Sequence, residues 1–162
     1  MKRWVVAIVL GVVVAVGGYV VFSFSRPSLE KDFTLPDLDN HPIRLSSFAG
    51  HPLIVCFFSP RCGECKEEAP LLNELYEAHK REGLIIVGVG VGTRQAEEIR
   101  EFAKENGIRY PVVADLNLSV AREFGVSWLP HLVFINRRGK IVSASAGKIP
   151  PEKLQEYLQA IL

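Results

Sequence analysis

Six apolar residues in an unbroken row, Leu53-Ile-Val-Cys-Phe-Phe58, run within three residues into a helical pattern, and this junction constrains the fold most. A strand with no polar face has to be covered on both sides. The pattern that follows, from about Cys62 to Arg81, repeats apolar residues at Leu71, Leu72, Leu75 and Ala78 and stops at Gly83. Leu84 to Val91 is a second buried strand, and Thr93 is predicted to cap a helix through Asn106, with Gly107 at its end. A short strand, Pro111 to Ala114, and a short helix, Ser119 to Phe124, come next. Leu132 to Ile135 and Lys140 to Ala146 form a hairpin across Asn136-Arg-Arg-Gly139, and Pro150-Pro151 starts a last amphipathic helix to Leu162. Upstream, Asp32 to Leu45 alternates apolar and polar residues on both sides of Asp39-Asn40, which predicts another hairpin. Strands alternating with helices and closing on a hairpin imply an α/β domain: a mixed sheet covered by helices on both faces, with right-handed crossovers.

The N-terminus is a different material. Trp4 to Phe22 carries no charge, and these 19 residues, at about 1.5 Å each, match a hydrocarbon core of about 30 Å. Lys2 and Arg3 precede the run and only Arg26 follows closely, so the positive-inside bias keeps the N-terminus cytoplasmic and exports the rest. The expected organisation is an anchor and start of linker over residues 1–25 and one domain over residues 26–162. The protein would then sit on the outer side of the cytoplasmic membrane, held by a single crossing. The rival reading is a cleaved signal peptide, for which Ser23 and Ser25 offer a poor cleavage site. Without Lys2, Arg3 and Arg26 the remainder holds 16 basic and 18 acidic residues, so no nucleic-acid-binding face is expected.

Three cysteines are too few for a disulfide scaffold and are read for chemistry. Cys62 and Cys65 form a C-x-x-C between a buried strand and a helix. At a helix start the unpaired N–H groups and the dipole favour the Cys62 thiolate, the nucleophilic form. Arg61 is expected to reinforce this and Glu64 to oppose it, with Gly63 between the two cysteines. Cys65, one turn inward, can attack a mixed disulfide formed by Cys62 and release the partner. A plain structural disulfide is the bland alternative, although so small a loop restrains the chain little. Half a zinc site is another, but no second cysteine pair exists to complete it.

From Asp32 to the C-terminus the chain resembles the membrane-anchored TlpA/ResA-type redoxins (DsbE-like) of the AhpC/TSA-redoxin group. The resemblance is carried by DFTLPDLDNHPIRLSSFAGHPLIVCFF, by C-G-E-C with Lys66 and Pro70 behind it, and by GVSWLPHLVFINRRGKIV. It implies a thioredoxin-like fold and extracytoplasmic thiol–disulfide exchange, with reduction of client protein disulfides, several members serving cytochrome c maturation. Electrons would come from a membrane donor of the thiol–disulfide interchange type; no cofactor or metal is implied. It also implies that Pro130 is cis and sits against the cysteine pair. Three positions depart from the family. Arg61 stands where a Trp is usual, Thr93 where many members carry an acid, and Cys56, six residues before Cys62, where thioredoxins hold a buried acid. The family's proton-handling group is therefore expected to be missing or replaced, and Cys56 is expected to be a buried, unreactive thiol.

Two other functions stay open on the residues. A thiol peroxidase shares the N-terminal stretch, and Ser59 fits its Ser position, but Val55 stands where its pattern has Pro. A copper-handling protein would use Cys62, Cys65 and His131, a soft donor set suited to Cu(I). His41, His51 and His79 lie in turns or on a helix surface and form no pattern.

Overall fold

The computed structural model of the protein describes residues 27–162. The apolar run Trp4 to Phe22 and the membrane crossing expected there lie outside the described residues. Among those described, no helix is long and apolar enough to cross a membrane.

Two short strands, β1 (Thr34–Pro36) and β2 (Pro42–Arg44), pair antiparallel with Leu35 opposite Ile43, and the chain reverses through Asn40 at a φ of 65°. The main sheet has five strands: β3 (Leu53–Phe58), β4 (Ile85–Gly90), β5 (Val112–Ala114), β6 (His131–Ile135) and β7 (Ile141–Ala146), in the spatial order β5-β4-β3-β6-β7. β3, β4 and β5 are parallel; β6 and β7 are antiparallel to their neighbours. All six residues of the central strand β3 are buried, as an unbroken apolar run requires.

Alternation along β3 sorts the helices onto two faces. Leu53, Val55 and Phe57 point toward α3 (Ser119–Glu123) and the N-terminal segment, where Phe33, Leu45, Val120 and Phe124 close the core. Ile54, Cys56 and Phe58 point the other way. There they meet Leu72 and Leu75 of α1 (Gly63–His79), Leu154 and Leu158 of α4 (Pro151–Ile161), and Ile99 and Phe102 of α2 (Ala96–Glu105). Each face is thus covered, which completes a thioredoxin-like mixed sheet.

The helix ends have local causes. α1 runs through Pro70, continues as a 3-10 turn over Lys80–Glu82, and stops at Gly83, whose φ of 92° favours glycine. The buried Asp115 starts α3 by accepting from the backbone N–H groups of Ser119 and Ala121, at 3.0 and 2.8 Å. Asn73 of α1 ties that helix to the loop after α2, donating to the Gly107 carbonyl and accepting from the Arg109 N–H. Thr93 departs from expectation. Its hydroxyl accepts from the Gln95 N–H at 3.1 Å, a turn before the helix, and α2 begins only at Ala96 without a side-chain cap.

α2 lies directly over β4 because the strand is bare there. A β-carbon at Gly90 would fall 2.5–2.8 Å from the side chain of Ile99.

Candidate active site

β3 ends at Phe58, and the chain turns through Ser59 to Cys62, whose N–H donates to the Ser59 carbonyl at 3.0 Å. Cys62 is the N-cap of α1, and its sulfur accepts from the Cys65 N–H at 3.1 Å. The two cysteines form a disulfide. Cys62 is half-buried, whereas Cys65 is only 3% exposed and packs with Phe58, Phe102 and Ala114. The pair therefore has an accessible member at the helix start and a shielded member one turn in. Leu129–Pro130 is cis, and Pro130 shares a small enclosed cavity of about 10 Å³ with Cys65.

Arg61 has an acidic partner. Its guanidinium lies 3.4 Å from the Glu98 carboxylate on α2, so its charge is shared with an acid rather than given to Cys62 alone. Glu64 is exposed on the first turn, and no packing constrains Gly63, where an added β-carbon would meet nothing within 4 Å.

Behind Cys65 the structure places a residue that the motif does not name. Glu68 is 2% exposed; one carboxyl oxygen faces the Ile149 N–H at 3.5 Å and the other has no partner. Burial pushes its carboxyl up to about 7, with Glu64 adding to the rise and the Ile149 N–H and Lys148 opposing it. Cys65, Glu68, Cys56, Tyr110 and Pro130 line the same cavity. A buried titratable group thus does stand beside Cys65, and it comes from the helix instead of the strand. A signal for it exists in the spacing: Cys65, Glu68, Leu72 and Leu75 recur at helical period, which puts an acid in an apolar stripe.

Cys56 is buried mid-strand, and burial together with the nearby Glu68 charge pushes its thiol well up. The same two groups surround Tyr110, whose hydroxyl is raised by burial, then Cys56, then Glu68.

His131 goes elsewhere. It is buried after Pro130, its ring centroid 6.1 Å from that of Phe57, on the face of the sheet opposite Cys56 and Phe58. Burial lowers its pKa, and its Nδ1 has no partner. No group of three His, Cys, Asp or Glu side chains able to hold a metal occurs among the described residues, so the copper-handling alternative finds no constellation. For the peroxidase alternative, Val55 at the position of the required proline lies fully buried in β3.

Comparison with known proteins agrees with this geometry. Residues 30–144 match the AhpC/TSA family. The thiol-disulfide oxidoreductase ResA of Geobacillus kaustophilus is 31% identical over 134 residues, covering 83% of this chain and 76% of that protein. ResA of Bacillus subtilis is 30% identical over 161 residues, covering 94% and 89%. In fold, the chain is similar to a DsbE-type thiol:disulfide interchange protein from Chlorobium tepidum, with a TM-score of 0.76 at 24% identity over 85% of this chain and 97% of that one. A C-x-x-C disulfide at a helix start, on a thioredoxin-like sheet, in a sequence that matches the family over residues 30–144 and ResA at 31% identity, means that the chain belongs to the AhpC/TSA family as a ResA-like thiol-disulfide oxidoreductase.

Proposed function

We propose that the protein is an extracytoplasmic reductase of protein disulfides, anchored by residues 1–25 with its N-terminus in the cytoplasm, and that it serves cytochrome c maturation. The observation that carries the catalytic part is the asymmetry of the pair: Cys62 accessible at the helix start, Cys65 buried beside Glu68. The Cys62 thiolate attacks one sulfur of a client disulfide, forming a mixed disulfide and expelling the other client sulfur, which takes up a proton. The Cys65 thiol then gives its proton to the Glu68 carboxylate and attacks Cys62, releasing the second client thiol. The client gains two electrons and two protons, and the pair closes to its disulfide. A membrane thiol–disulfide donor must supply the same two electrons to reopen it, since the compartment is oxidising.

Charge around the pair supports the reductive direction. Oxidants of this type are strong because their reduced form is stabilised. Here Arg61 is paired with Glu98, and the exposed Glu64 stands between the two cysteines in sequence, so little positive charge is set aside to stabilise a reduced Cys62. This supports the reductive direction, as the names of the ResA relatives support exchange in general. The membrane placement is supported by the apolar run behind Lys2 and Arg3.

Two measurements test the proposal. Cys65→Ser is expected to accumulate mixed disulfides with clients, including apocytochrome c, while Cys62→Ser accumulates none; equal trapping by both would overturn the assignment. The reduction potential should lie near thioredoxin's value of about −270 mV; a potential near about −120 mV would make the protein an oxidant.

A further inference from the structure

Among the described residues four large apolar side chains stand open to solvent, Leu116, Leu118, Trp128 and Val142, and three of them line clefts that reach Arg61 and Leu129, the chain neighbours of Cys62 and Pro130. Leu118 and Trp128 line a cleft of about 390 Å³ together with Gly92, Arg122 and Leu129. Leu116 and Leu118 line an adjoining cleft of about 490 Å³ with Arg61, Gly92 and Arg94. Gly92 and Leu118 belong to both. The two clefts therefore make one groove, running from Arg61, beside Cys62, to Leu129, beside Pro130.

Its lining is mixed in a definite way. Trp128 is 65% exposed, resting beside Gly147, and such an apolar surface is costly to leave in water. Arg94 and Arg122 flank the apolar floor, and among the described residues neither meets a carboxylate, whereas Arg61 is already paired with Glu98. The backbone N–H and C=O groups of Trp128 and Leu129 likewise form no hydrogen bond within the described residues. Apolar surface, two unpaired cations and a free stretch of backbone are complementary to an extended acidic polypeptide.

We propose that this groove selects clients by the residues flanking their disulfide cysteine: a large apolar side chain seated between Leu118 and Trp128, and an acidic residue facing Arg94 and Arg122. The proposal rests on the exchange reaction described above and names the client sequence it prefers. Contacts of this kind act on encounter and register, so they should appear in kcat/KM and depend on salt.

The test uses the reduced full-length chain and synthetic peptides, each with one cysteine held as a mixed disulfide with thionitrobenzoate. Attack on the cysteine sulfur releases the coloured thiol, the better leaving group. Three peptides differ only beside the cysteine: Leu with Asp, Leu with Lys, and Ser with Asp. The Leu/Asp peptide is expected to exceed each of the others by about five- to tenfold in kcat/KM, and its advantage over Leu/Lys should shrink at about 0.5 M salt. Arg94→Glu with Arg122→Glu should reverse the order of the Asp and Lys peptides. Equal rates for all three peptides, or an unchanged order in the double variant, would overturn the groove assignment and leave the exchange reaction standing. Release of no thiol from any peptide would overturn the exchange reaction itself, and the groove with it. A concentration-dependent dimer in sedimentation, with peptide exchange lost as it forms, would give the groove to a second copy of the chain and overturn the proposal.

Discussion

Glu68→Gln replaces a buried carboxyl by a neutral group of the same shape and should change how stability depends on pH. In the folded protein burial lifts the carboxyl to about 7, against an ordinary value of 4.5. Below the ordinary value both folded and unfolded chains hold the proton, and the group contributes its full stabilisation. As pH rises toward the folded value, the unfolded chain releases its proton while the folded chain keeps it. Each pH unit then costs about 1.4 kcal/mol, and the loss is complete above the folded pKa. The whole effect is about 3 kcal/mol, of which about 2.5 kcal/mol falls between pH 5 and pH 8. The groups around the carboxyl set this value: Ile149 N–H and Lys148 lower it, Glu64 raises it, and the unpartnered oxygen has nothing to offset its burial. Urea unfolding of the oxidised protein at the two pH values, for wild type and variant, gives the double difference, in which all other titrations cancel. The wild type should lose about 2.5 kcal/mol more than the variant on going to pH 8. Parallel losses in the two proteins would falsify the reasoning, because they would mean that the carboxyl titrates equally in both states.

Cys56 should resist alkylation in the native reduced protein while Cys62 reacts, because burial and Glu68 disfavour its thiolate; mass spectrometry after a short iodoacetamide pulse reads this, and early labelling of Cys56 would contradict it. Gly90→Ala should destabilise the fold by about 1–3 kcal/mol, since the new methyl meets the fully buried Ile99; an unchanged denaturation midpoint would show that α2 does not rest on β4. A reporter active only outside the cytoplasm, fused after Leu162, should be active in cells; silence would refute the proposed topology.

Much of the fold is readable without coordinates, because it depends on local periodicity. The unbroken run Leu53–Phe58 forces a strand covered on both faces, and the C-x-x-C at its exit places one thiol at a helix start. The limits of α1 and α4 follow from Gly83 and Pro151, whose backbone preferences act at the residue itself. Local pattern is weaker at α2, where Thr93 has the right chemistry for a cap but its hydroxyl is spent on the turn before the helix.

The chemistry of the site is decided by neighbours far apart in the chain. Burial raises the Glu68 pKa because α1 lays it beside Cys56 of β3 and Tyr110 ahead of β5, and the Ile149 N–H before α4 only partly offsets this; the environment exists only after the sheet has closed. Arg61 is paired with Glu98 of α2, and His131 falls on the Phe57 face, placements that their positions beside Cys62 and Pro130 do not reveal. The groove, likewise, joins Gly92, Leu118 and Trp128 from three separate loops. Periodicity along the chain determines which side of an element is buried, but desolvation and charge pairing are sums over everything packed there, and those sums belong to the tertiary structure.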